Sequence, residues 1–62
     1  MTLEEYLKKY RRTQAAFAEE SGISRASIIK YLKGEPPKLF YAMKIVKATK
    51  GEVSLKELGV LP

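Results

Sequence analysis

Residues 14–33, QAAFAEESGISRASIIKYLK, constrain the rest of the chain most. They predict two short helices joined by a tight turn. Thr13 suits the N-cap of the first helix, residues 14–20. Gly22 falls where the chain must turn through positive φ, a conformation glycine adopts without a Cβ penalty. Ile23 returns the chain to the core, and Ser24 caps a second helix over residues 25–33. Gly34 ends that helix, and Pro36-Pro37 prevent its continuation.

The second helix has two unlike faces. Counting about 100° per residue from Arg25, Ile28, Tyr31 and Leu32 share one arc, which can pack against Phe17, Ala18 and Ile23. Arg25, Ala26, Ile29, Lys30 and Lys33 share the opposite arc, a cationic stripe with one small and one β-branched apolar residue inside it. A helix held up by its neighbour and offering such a stripe suits the DNA major groove, which admits one α-helix.

Several spacings agree at once: Gln14 opening the first helix, apolar Phe17, small Ala18, Gly22 in the turn, Ile23 after it, then Ile28 and Tyr31. With these the stretch resembles the helix-turn-helix of lambda-repressor-like and Cro-type phage regulators. The resemblance implies that the two helices cross closely at Ala18 and Gly22. It also implies a phosphate contact from Gln14, and it points to a class of DNA binder rather than to one operator.

Sixty-two residues make one small domain, residues 1–62, near the lower limit for folding without staples. The absence of cysteine rules out a disulfide framework, and with no histidine either, Cys/His zinc sites are excluded. No run is apolar and long enough to span a membrane and no signal peptide is visible, so the expected location is cytoplasmic. The net charge of +5 favours an anionic partner, nucleic acid before a membrane surface.

Before the motif, Thr2 and Glu5 form a capping box and predict a helix over residues 3–10. Its apolar arc is Leu3, Tyr6, Leu7 and Tyr10. Arg11-Arg12 follow as a basic joint, either solvated or touching phosphate beside the next helix start. After the motif, Leu39, Ala42, Met43, Ile45 and Val46 make one stripe if residues 38–49 are helical, with Lys50-Gly51 giving a basic last turn and a C′ glycine. As a strand, Leu39, Tyr41, Met43 and Ile45 also alternate onto one face. Residue propensities and length favour the helix. Ser54 and Glu57, with Gly59 behind them, predict a fifth short helix over residues 55–58. The expected fold is therefore all-α, a compact five-helix lambda-repressor-like domain. The alternative is an α+β Cro form in which residues 39–46 pair with 52–58 in a C-terminal β-hairpin.

The chain contains no aspartate, and its serines are explained as caps with no base beside them, so an enzyme is not expected. No phosphate loop or dinucleotide fingerprint occurs, and no cofactor, metal or small-molecule substrate is expected. The expected function is a sequence-specific repressor acting on a double-stranded operator. Arg25, Ala26, Ile29 and Lys30 are the candidates for base edges; Gln14, Ser24, Ser27, Arg11, Arg12 and Lys38 are those for phosphates. Phe40, Tyr41, Val60 and Leu61 are candidates for a homodimer surface. The competing reading is a protein-interaction module, such as an antitoxin-type helix-turn-helix protein.

Overall fold

A computed structural model describes residues 1–61. Its helices are α1 (Leu3–Lys9), α2 (Gln14–Ser21), α3 (Arg25–Leu32) and α4 (Leu39–Ala48). The expected caps are in place. Thr2 accepts the amide of Glu5 while the Glu5 carboxylate accepts the amide of Thr2. Thr13 accepts from Ala16, and Ser24 from Ser27. No strand occurs among the described residues, so the hairpin branch is overturned. Residues 39–46 instead bond along the chain, starting with the Ala42 amide on the Lys38 carbonyl at 2.8 Å.

The expected fifth helix is also corrected. Ser54 and Glu57 do form their capping box, with the Glu57 amide on the Ser54 hydroxyl and the Ser54 amide on the Glu57 carboxylate. At the other end the Val60 amide bonds the Leu55 carbonyl and the Gly59 amide that of Lys56, across a left-handed Gly59. Start and stop signals therefore act on the same four residues. Only one turn fits between them, closed by Leu58 on Ser54, and a second turn never propagates.

The core is built from Leu3, Tyr6 and Leu7 of α1, Phe17 of α2, Ile23 from the turn, Ile28 of α3, Ala42 and Ile45 of α4, and Val53 beyond it. Tyr6 meets Phe17 edge to face, with ring centroids 5.9 Å apart. α3 rests on α2 and α1, and α4 rests on α2. This leaves one side of α3 unsupported and outward.

Two connections depart from the expected chemistry. The C′ position after α4 is taken by Lys50, at φ +54°, and Gly51 follows it, also at positive φ. Arg11 holds the same left-handed place after α1, at φ +52°, with the Arg12 amide closing on the Leu7 carbonyl at 2.9 Å. Both cations carry a backbone strain that glycine would not. The apolar stripe of α4 is also turned from its expected setting. Ala42, Ile45 and Thr49 face inward, while Leu39 and Met43 are 54% and 58% exposed. Thr49 can be buried because its hydroxyl donates to the Ile45 carbonyl and accepts the Val53 amide.

Candidate nucleic-acid interface

The turn that presents α3 is built as the sequence dictates. Gly22 is left-handed at φ +72°, and the amides of Gly22 and Ile23 both close on the Ala18 carbonyl. Ser21 is buried, with its hydroxyl donating to the Phe17 carbonyl at 2.8 Å. Ile23 then drops into the core, and Ser24 starts α3. Ile28 is fully buried, and Tyr31 and Leu32 pack against the core from the same side.

The outward arc is as expected in composition. Arg25, Ala26 and Lys30 are exposed, Ile29 is half-buried, and Lys33 is exposed at the C-cap. The distribution of charge partners distinguishes this arc from α1, whose lysines are both paired. Four ion pairs form among the described residues, and they join the N-terminal ammonium to Glu57, Lys8 to Glu4, Lys9 to Glu52 and Arg12 to Glu20. None of them draws on Arg25, Lys30 or Lys33.

The same division holds at the helix starts. α1 carries Glu4 and Glu5 in its first turn, where an acid satisfies the positive end of the helix. α2, α3 and α4 have no acid in their first turns. Lys38, the N-cap of α4, contributes no side-chain cap, so amides at that helix start stay open beside a free ammonium.

The expected phosphate contacts fall into different settings. Gln14 opens α2 and is half-buried, and Arg11 is exposed and unpaired just before it. Arg12 is held by Glu20 at 2.9 Å. The Ser24 hydroxyl accepts the Ser27 amide and donates to Ser27 Oγ, which leaves Ser27 with a proton to donate outward. Of the expected dimer residues, Phe40 is 65% exposed, Tyr41 is at the margin of exposure, Val60 is half-buried and Leu61 is exposed. Sequence reasoning missed the open start of α4. The signal was present, because LFYAMKIVKA contains no acid at all.

A short helix propped on another across a glycine turn, with its outer face cationic and unpaired, defines the helix-turn-helix class of DNA-binding domains. A family model described as helix-turn-helix matches residues 3–58. The chain belongs to that family, the lambda-repressor-like helix-turn-helix domains. No curated protein and no solved structure matches it. Among the described residues no helix is long and apolar enough to cross a membrane.

Proposed function

We propose that this domain is a sequence-specific, Cro-like repressor that lays α3 in the major groove of an operator. The observation that carries the reading is the cationic arc of α3, which turns away from the core with no carboxylate partner, whereas both lysines of α1 are paired. Arg25 stands at the N-terminal end of α3, where base contacts concentrate, and suits the O6 and N7 acceptors of guanine. Ala26 and Ile29 offer apolar surface to a thymine methyl. Lys30 lies a turn further along, within reach of a guanine or a phosphate.

Gln14, Ser27, Arg11 and Lys38 are the phosphate contacts we favour. The acid-free starts of α2, α3 and α4 support them, because helix starts bind anions through open amides and the helix dipole. Ser24 serves mainly as a cap, and Arg12 is engaged with Glu20. Two copies would sit on successive turns of one DNA face, with recognition helices about 34–36 Å apart. Val60 and Leu61 are the residues we assign to contact between the copies. The lysines around Phe40 and Tyr41 disfavour apposing two copies there.

Selection of binding sites from random duplex DNA tests the proposal. An enriched palindrome with half-sites one helical turn apart is the expected result. Recovery of no preferred sequence, with an affinity indifferent to salt, overturns it and favours the protein-interaction reading.

A further inference from the structure

α4 presents a second surface, of which the DNA reading uses only Lys38. Leu39, Phe40 and Met43 lie on its outer side, 54%, 65% and 58% exposed. On a helix they fall within about 100° of arc, so they form one continuous apolar strip. Lys38 stands at its start, and Lys44 and Lys47 flank it. The Lys44 ammonium sits 4.8 Å from the centre of the Phe40 ring and 5.7 Å from that of Tyr41. A group that settles on Phe40 therefore meets a positive charge at the same spot.

We infer that this strip binds an acidic amphipathic segment of a partner protein, with apolar residues at helical spacing and carboxylates beside them. Charge complementarity selects that occupant. α4 has no carboxylate, so two copies meeting face to face would oppose Lys44 and Lys47 to themselves, and a self-complementary contact cannot relieve that repulsion. A stacking platform for single-stranded nucleic acid would need open aromatic faces, whereas Leu39 and Met43 are aliphatic and Lys44 covers the Phe40 ring. Apolar anchors three and four residues apart, next to ammonium groups, match side-by-side packing against a second amphipathic helix that carries acids. The inference uses none of the α3 contacts, and it shares with the DNA reading only Lys38, which the variants below leave in place.

The probe is a synthetic helical peptide of leucine and glutamate arranged with one apolar face. It is compared with a scrambled peptide of equal composition, with a version carrying lysine for glutamate, and with phosphatidylglycerol vesicles. Amide chemical shifts of the whole domain locate binding, and titration gives affinity. The patterned acidic peptide should shift residues 39–47, and the scrambled peptide should bind at least about tenfold more weakly. The double variant Lys44→Glu, Lys47→Glu should lose the acidic peptide and gain the lysine one. Phe40→Ser should weaken binding with an unchanged melting temperature, since that ring is mostly in solvent. Arg25→Ala should leave peptide binding untouched, which separates failure here from failure of the DNA reading. Equal binding of the scrambled or lysine peptide overturns the inference. So does a dimer that Phe40→Ser dissolves, or vesicle binding through Phe40 without peptide binding.

Discussion

α1 and α3 are short helices of similar basic content that treat their charges in opposite ways. α1 places Glu4 and Glu5 at its start and Lys8 and Lys9 at its end, in agreement with its own dipole. Its lysines are then engaged again, Lys8 by Glu4 and Lys9 by Glu52, and Tyr10 donates to Glu52 as well. α3 has no acid in its first turn, and Arg25, Lys30 and Lys33 find no carboxylate. Net charge alone, +5 over the chain, does not separate these two cases. Pairing does, because only an unpaired cation is ready to displace the counterions of a phosphate backbone.

The strongest test of the contrast is Arg25→Ala. We expect it to weaken specific binding by about 1–3 kcal/mol and non-specific binding by less. Stability should stay within about 0.5 kcal/mol, because the residue is exposed and unpaired. Lys9→Ala should leave both specific and non-specific affinity as they were. Titrations of operator and random duplexes with both variants decide it. An equal loss from Lys9→Ala would dissolve the distinction between the two helices.

Arg11 sharpens the contrast, since it belongs to the end of α1 yet remains unpaired. Its φ of +52° is a conformation glycine holds freely. Arg11→Gly should stabilise the fold by about 1 kcal/mol and reduce the salt slope of DNA binding by about 0.9. Lys50 is the control, strained alike at φ +54° but at the opposite end of α4 from Lys38. Lys50→Gly should stabilise by a similar amount and leave the slope unchanged. Urea unfolding and salt titrations read both effects. A slope indifferent to Arg11→Gly would make this residue part of the scaffold.

The motif itself was legible because each signal is local. Thr13, Gly22 and Ser24 act on amides within a few residues, and Phe17, Ile23 and Ile28 repeat at helical spacing. What could not be read depends on how the elements pack together. Periodicity groups Leu39, Met43 and Val46 beside Ala42 and Ile45, but it does not say which neighbouring arc turns inward. Thr49 decides that, and its burial rests on a bond from the Val53 amide. The pairing of Arg12 with Glu20 and of Lys9 with Glu52 was invisible for the same reason. The fifth helix failed on a local count, with valid caps and too few residues between them.

Acid should act on the α1 side of the contrast. Glu5 is held below the ordinary carboxylate range by the Thr2 amide and hydroxyl. Glu52 is lowered by the hydrogen bond from Tyr10 and by Lys9, and Glu57 by the N-terminal ammonium and the Ser54 amide. With these values depressed, the unfolded chain binds more protons than the folded chain as the pH drops past about 4.3, so stability declines there. Above that range the contribution is fully present. Urea midpoints between pH 6 and pH 3 should fall, and Glu52→Gln should flatten the decline. Midpoints that do not move with pH would show that these contacts add nothing to the fold.

The smallest expected effect bears most directly on what pairing means. Arg12 lies beside the start of α2, where a phosphate could sit, but its guanidinium rests on Glu20 at 2.9 Å. Both side chains are partly in solvent, and such a pair contributes about 0.2–1 kcal/mol. That is comparable with what one phosphate offers an exposed cation, so the bridge is able to withhold Arg12 from DNA. Arg12→Ala should then leave the salt slope unchanged. Glu20→Gln, which keeps the shape and removes the charge, should release the guanidinium and steepen the slope by up to about 0.9. Its effect on stability should not exceed the worth of the pair. If Arg12→Ala lowers the slope instead, the bridge opens on DNA. Pairing in the free protein would then no longer mark a cation as structural, and Arg12 would rejoin Arg11 and Gln14 among the phosphate contacts.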